Sequence, residues 1–336
     1  LKEIEEMTLK TRKIGLGVMG LADTLYELLI PYNSKEGLEF MEKCAETLNY
    51  YSKLASIALA QERGRFPLFD KSFYPEGKLP FAGFYKDKKK WHYGWGDLVR
   101  KIKKYGLRNA FTTVIAPTGS ISMIAGCSSG IEPNYSLVFE KHVTVGSFFY
   151  VNPSFERLLA REGYFNDQLL RQVIQNKGSI AKINHLPQRL KKILVTALDI
   201  APEDHIKALA AFQKWVDSSI SNTNNLPATA TVEDVKKIYL LAYELGCIDV
   251  TVYRDTSIKD QVLVGGGKKL KKSKEKKFLT KKDVKAEGFS VYYHPEITAY
   301  QPEIKDEKKS CPNCGTVLVS QEKCHSCPIC GWGLCS

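Results

Sequence analysis

Six of the nine cysteines crowd into the last 26 residues, "CPNCGTVLVSQEKCHSCPICGWGLCS". Cys311-x2-Cys314 and Cys327-x2-Cys330, twelve residues apart, form two knuckles, each followed by a glycine where the chain must turn under a metal. Four thiolates at that spacing complete a tetrahedral Zn²⁺ site. A unit this small has no adequate core, so the metal would supply its folding free energy. Cys324 and Cys335 are left over. Spare thiols on a tether suit thiol–disulfide exchange, in which a thiolate attacks a disulfide elsewhere. The competing readings are incidental thiols, substitute ligands, or a second pair, Cys330 with Cys335, spaced C-x4-C. Cys44, Cys127 and Cys247 sit singly in apolar surroundings and read as small buried hydrophobes.

Two further stretches have residue types suited to phosphate. In "APTGSIS", Thr118, Gly119 and Ser120 combine hydroxyls, close backbone approach and the free N–H groups of a helix start, which together make an anion site. The lysine of a Walker loop is absent, and a plain proline-glycine turn is the simpler alternative. In "KTRKIGLGVMGLADTLYELL", Gly15, Gly17 and Gly20 spell the dinucleotide fingerprint G-x-G-x-x-G. That fingerprint needs a strand before it and an acidic residue ending a second strand about 20 positions on. Here a charged, helix-periodic segment precedes it and another helix start comes after it. The better reading is a short buried segment whose glycines allow close helix packing, then an amphipathic helix from Leu21 to Ile30 stopped by Pro31.

The elements that would position these groups are set by periodicity. A long helix starts near Asn33 or Ser34, puts Leu38, Met41, Ala45, Leu48, Ala55 and Leu59 on one face, and stops at Gly64. "NAFTTVIAPTGS" predicts a strand at Thr112–Ala116 running into the turn. Thr231 with Asp234 is a capping box, Gly246 a stop, and "CIDVTVYRD" a buried strand. Helices alternating with short apolar strands imply an α/β fold with parallel pairing.

The chain divides into three: residues 1–258 with this pattern, a lysine-rich flexible linker at 259–309, and the cysteine tail at 310–336. Net charge is +12, and ten lysines against Glu275 and Asp283 between 268 and 285 carry most of the excess. Such a run is most simply a solvated tether. A linker of about 50 residues has an r.m.s. reach of roughly 40 Å. With neither a long apolar run nor a signal peptide, the sequence reads as a soluble, cytoplasmic protein with no membrane partner. It begins at Leu1 in what reads as mid-helix, the mark of a fragment, a processed product or half of a split protein.

"RKIGLGVMGLADTLYELL", "GLRNAFTTVIAPTGSISMIAGCSSGIEPNYSLVFEKHV", "TALDIAPEDHIKALAAFQKWVDSSIS", "ATVEDVKKIYLLAYELGCIDVTVYRD" and the tail resemble, in order, the C-terminal half of a class II, adenosylcobalamin-dependent ribonucleotide reductase. The resemblance implies the second half of a ten-stranded α/β barrel, then the linker and a zinc-ribbon tail. It assigns substrate phosphate, of a ribonucleoside di- or triphosphate, to Pro117, Thr118, Gly119, Ser120 and Ile121. It makes the tail a carrier of electrons from a thioredoxin-like reductant, and "GLGVMG" a barrel element. The family's radical motif, asparagine-x-cysteine-x-glutamate, is absent, and neither Cys127 nor Cys247 matches it. No catalytic residue is therefore assigned to this chain, which would need an N-terminal half as partner and is expected to be inactive alone. A class I large subunit is the nearest alternative. A zinc-ribbon nucleic-acid-binding protein is the alternative of another kind, marked by affinity that falls steeply with salt. The 258 residues of barrel-like pattern give it no support.

Overall fold

Helix ends in this chain obey capping chemistry. Ser34 caps α3 (Lys35–Arg63), its Oγ accepting the Gly37 N–H at 3.0 Å, and Gly64 ends it at φ 79°. Thr231 and Asp234 form the capping box of α10 (Val232–Leu245), and left-handed Gly246 closes it. α2 (Leu21–Glu27) is shorter than the expected 21–30. Leu29 turns left-handed at φ 59° and the Ile30 N–H returns to the Leu25 carbonyl, so the helix closes before Pro31 is reached.

The computed structural model describes residues 1–86, 88–143, 146–255 and 257, plus short strands at 264–265, 280–281, 290–293, 319–321, 324–326 and 333–335. Four extended stretches lie side by side in parallel. Leu16 bridges Thr113, Ile115 bridges Ile220, and β3 (Thr223–Leu226) pairs with β4 (Thr251–Arg254) from Thr223↔Thr251 to Leu226↔Arg254. α9 (Pro202–Gln213) packs against α3, α10 and β3, giving parallel staves covered by helices. This is an α/β arrangement.

A second sheet has the order β5-β1-β2-β7-β6, built on β1 (Val138–Val143) and β2 (Gly146–Val151). Its other strands, β5 (Val264–Gly265), β6 (Thr280–Lys281) and β7 (Ser290–Tyr293), fall within the segment read as a linker. The remainder of that segment lies outside the described residues. The chain forms two compact units, the smaller comprising His142–Gly146 and Ile297–Ser336. Within the smaller unit β8 (Val319–Gln321), β9 (Cys324–Ser326) and β10 (Gly333–Cys335) make an antiparallel sheet in the order β10-β9-β8.

Three expectations need correction. Residues 112–116 form single bridges on either side instead of a regular strand, because the Asp217 carboxylate takes two of their backbone donors, the N–H groups of Thr112 (2.7 Å) and Thr113 (3.3 Å). β4 forms within "CIDVTVYRD" but is exposed to half-buried, since it pairs on one side only among the described residues. On α3, Met41 and Ala45 are buried as expected, yet Ala55 and Leu59 face solvent. Beyond Ala45 the buried face carries a polar stripe, Glu46, Asn49, Lys53 and Ser56, followed by Ile57 and Ala60.

Each member of that stripe has a partner. Glu46 accepts from the His92 N–H and Trp95 Nε1, both at 2.9 Å, beside a stacked Trp95–Trp215 pair. Ser56 Oγ donates to Asn109 Oδ1 at 3.0 Å. Lys53 and Asp217 form an ion pair with both side chains fully buried. Asp217 also accepts from Asn49 Nδ2 (3.0 Å) and Thr112 Oγ1 (3.0 Å), and Lys53 Nζ donates to Thr112 Oγ1 (2.9 Å). Burial on its own would raise the Asp217 pKa, but the Lys53 charge and these donors together hold the carboxyl below its ordinary value.

Removing one partner of a buried pair leaves the other charge uncompensated, so Lys53→Met is expected to lower stability by about 3–5 kcal/mol in urea unfolding. Lys53→Met combined with Asp217→Asn should recover part of that loss; an additive double loss would refute the pairing. A second expectation concerns acid. His205 is fully buried, its Nε2 donates to the Ala197 carbonyl at 2.9 Å, and its Nδ1 has no partner among the described residues. Burial lowers its pKa from 6.5, opposed by the Ala197 bond and Asp204. A depressed folded pKa means that its contribution is complete above about pH 6.5 and is lost as pH falls through the lowered value. Melts of His205→Gln between pH 7 and 5 should show a shallower acid slope than the parent, and an unchanged slope would assign the acid sensitivity elsewhere.

Candidate functional site

The stretch 111–116 ends in Pro117, and the residues expected to take an anion come directly after it, at the carboxyl end of the parallel staves. Thr118 is the N-cap of α5 (Gly119–Ala125) and holds a left-handed backbone, φ 55° and ψ 22°. The first helical bond runs from the Ser122 N–H to the Thr118 carbonyl at 2.9 Å. The N–H groups of Gly119, Ser120 and Ile121 therefore precede the helix's own bonding and carry its positive partial charge. Pro117, Gly119, Ser120 and Ile121 are exposed, and nothing lies within 4 Å of where a Gly119 Cβ would be. A threonine in this region of φ/ψ is strained and persists only where its surroundings hold it. Thr118 Oγ1 accepts the Gly130 N–H at 2.8 Å, and Ser122 Oγ bonds Ser129 Oγ at 2.9 Å.

The glycines of "GLGVMG" serve the neighbouring stave. A Cβ on Gly15 would sit 2.3 Å from Val114 Cγ1, and one on Gly17 2.4 Å from the Val114 carbonyl oxygen. Gly20, at φ 81°, caps α2. The segment was expected to be buried against a helix; Ile14 to Gly17 are instead exposed, and the close approach is to the 113–115 backbone. No strand enters this segment to form a dinucleotide fold.

Glu132 was not legible in the sequence, where no spacing singles it out. It lies half-buried over the next stave with Oε1 accepting the Thr223 N–H at 3.0 Å, and burial raises its pKa against the opposing effect of that bond. The polar stripe of α3 recurs at the spacing of a helix face, a pattern that in the sequence reads as solvent-facing, so its burial was not legible there. Cys127 is half-buried beside Gly20, its thiol pKa raised by burial and by Asp23, while burial pushes Cys247 up to about 11. Neither is poised as a thiolate.

Among the tail cysteines, Cys311, Cys314, Cys327 and Cys330 lie outside the described residues. Cys324 and Cys335 are backbone partners across β9 and β10. Among the described residues no three His, Cys, Asp or Glu side chains cluster as a metal site, and no helix is long and apolar enough to cross a membrane.

Parallel staves under helices, with an exposed helix-start loop at their carboxyl ends, form an α/β arrangement of the kind that places ligand sites at strand ends. The chain belongs to the ribonucleotide reductase family: the family model described as ribonucleotide reductase, barrel domain, matches residues 1–253. It is 42% identical over 281 residues to the vitamin B12-dependent ribonucleoside-diphosphate reductase of Thermoplasma acidophilum, covering 83% of this chain and 33% of the relative. The enzyme of the same name from Mycobacterium tuberculosis is 37% identical over 78% of this chain and 34% of its own length. The ribonucleoside-diphosphate reductase subunit alpha of Chlamydia pneumoniae is 32% identical over 97% of this chain and 30% of its length. The chain thus spans about a third of the curated relatives it matches. In fold it resembles the Actinobacillus ureae class Id ribonucleotide reductase alpha subunit, with a TM-score of 0.58 and 24% identity over 75% of this chain and 40% of that one.

The two roles of glycine separate experimentally. Gly17→Ala, which drives a methyl into the Val114 carbonyl, should cost about 1–3 kcal/mol in chemical unfolding. Gly119→Ala meets open space and should change stability by no more than about 0.5 kcal/mol. Equal losses would contradict the assignment of Gly17 to stave packing.

Proposed function

We propose that this chain supplies the second half of the ten-stranded barrel of a class II ribonucleotide reductase, with Pro117, Thr118, Gly119, Ser120 and Ile121 binding the phosphate of a ribonucleotide and the cysteine tail returning electrons to the site. The observation that carries this reading is the exposed helix start at Gly119, presented at the carboxyl ends of parallel staves. Its free N–H groups suit a di- or triphosphate, which needs no lysine where backbone donors converge. Class II is favoured over class I because the relatives at 37–42% identity are named as vitamin B12-dependent, against 32% for the Chlamydia pneumoniae alpha subunit.

The upstream half would cover surface that this chain leaves open. At one edge Ile4, Met7 and Leu9 of α1 (Lys2–Thr11) are exposed together with Ile14 and Leu16; at the other, Tyr239, Leu240 and Tyr243 of α10 and Ile248 are exposed. Exposed apolar side chains gathered at both ends suit an interface. The radical cysteine belongs to that missing half, so this chain binds and orients substrate without completing the reaction.

Reduction of a ribonucleotide converts two thiols to a disulfide and releases the 2′ oxygen as water, so the disulfide must be reduced again. Cys324 and Cys335 suit that task. Directly opposed residues of an antiparallel pair have Cα atoms about 4.5–5.5 Å apart, within the range a disulfide requires. Cys311, Cys314, Cys327 and Cys330 then remain as the Zn²⁺ ligands, and a thioredoxin-like protein is the external reductant. Adenosylcobalamin is the radical source for the complete enzyme.

Calorimetric titration of the chain with pyrophosphate and a ribonucleoside diphosphate should show saturable binding that Gly119→Ala abolishes; absence of binding by the parent chain would refute the phosphate site. With the upstream half and adenosylcobalamin supplied, Cys335→Ser should block turnover driven by thioredoxin but not by dithiothreitol. Equal loss with both reductants would exclude a shuttle.

A further inference from the structure

We propose that Asp23 is a positioning residue for the phosphate loop, holding Thr118 in its strained conformation through residues 128–130. The inference rests on the reading of residues 117–121 as a phosphate site. Asp23, near the start of α2, is 9% exposed and gathers three segments distant in sequence. Oδ2 accepts the Ser128 N–H at 2.6 Å; Oδ1 accepts Asn134 Nδ2 at 2.9 Å and Asn152 Nδ2 at 2.8 Å. Asn152 also reaches Asn134 Oδ1 at 3.3 Å, and its own Oδ1 caps α6 (Pro153–Arg161) by accepting the Phe155 N–H at 2.8 Å. The Asn134 and Asn152 amides are thus each oriented by more than one bond or fixed to a helix end.

Ser128 is held from several directions. Besides the carboxylate bond, its carbonyl accepts the Gly20 N–H at 2.8 Å and its Oγ accepts the Asp23 N–H at 3.4 Å. The next two residues are those touching the loop: Ser129 bonds Ser122 at 2.9 Å, and the Gly130 N–H bonds Thr118 Oγ1 at 2.8 Å. Gly130, at φ 47°, lies against the Ala116 and Pro117 backbone, where a Cβ would come within 3.2 Å of the Ala116 oxygen. A left-handed threonine is kept only where neighbours over-determine it. Here the restraint runs from the Asp23 carboxylate through Ser128 to Gly130, and from there to the Thr118 hydroxyl. All three side-chain and backbone donors to Asp23 are uncharged amides, an arrangement that fixes backbone without needing a basic residue near an anion site. Asp23 touches no residue of 117–121 and so acts on a bound phosphate only through the loop.

The test measures pyrophosphate affinity and thermal stability together on the full chain. Asp23→Asn should weaken pyrophosphate binding by about tenfold or more, the size of effect seen when outer partners of a ligand site are lost. Leu170→Ala, a buried change in α7 (Asp167–Gln175), serves as a core variant that lowers the melting temperature without loss of affinity. The exchange Asp23→Asn with Asn134→Asp restores the carboxylate–amide bond with its partners reversed and should recover affinity. Pyrophosphate binding by Asp23→Asn equal to the parent, or affinity that merely tracks melting temperature across the variants, would overturn the positioning role while leaving the phosphate site intact. A parent chain that binds no pyrophosphate would overturn both.

Discussion

The buried Lys53–Asp217 pair is the constraint around which the staves are arranged. Two charges removed from water cost several kcal/mol each unless every remaining donor and acceptor is used. Here the carboxylate takes Lys53, Asn49, the Thr112 hydroxyl and the N–H groups of Thr112 and Thr113. These donors come from α3 and from the 111–116 stretch, and the acceptor from the turn after α9. The pair therefore fixes one stave against the long helix and sets where that stave ends. Its cost is regular sheet structure at Thr112 and Thr113, whose donors bond a side chain in place of a neighbouring strand.

The loop beyond this stave inherits that placement. Pro117 cannot continue a ladder, Thr118 turns left-handed, and α5 begins with its first N–H groups facing solvent. The loop is exposed but not loosely held, because the 128–130 segment braces it from behind and Asp23 braces that segment. Gly15 and Gly17 let the adjacent stave close onto Val114, where any side chain would collide with backbone or methyl. Rigid support beneath an open ring of donors is the arrangement an anion site needs, since donors already oriented lose little entropy when the ligand arrives.

The apolar surfaces at the two ends of the stave succession have a simple physical reading in a barrel. A closed parallel barrel has no edge, whereas a run of staves has two, each with a helix whose apolar face awaits a neighbour. α1 and α10 occupy those positions, α1 burying none of its residues and α10 only Ile238 and Ala242. The chain belongs to the ribonucleotide reductase family and spans about a third of the length of the curated relatives it matches.

Local chemistry was legible wherever one residue decides it. Ser34, Gly64, the Thr231–Asp234 box and Gly246 mark helix ends through their own hydrogen bonds or their tolerance of positive φ, and these marks coincide with the observed ends. The turn into α5 was legible too, because proline and glycine state their backbone needs within a few positions. Only the tertiary structure decided which side of α3 is buried, since Glu46, Asn49, Lys53 and Ser56 become core residues solely because distant partners meet them. The same holds for Asp23, whose donors lie more than a hundred residues away. By itself, then, the sequence determined the capped ends of α3 and α10, the parallel α/β pattern and the turn into α5. Which polar side chains are buried, and how Thr118 is held, was left to tertiary contact, because a buried charge is tolerable only when partners far along the chain arrive to satisfy it.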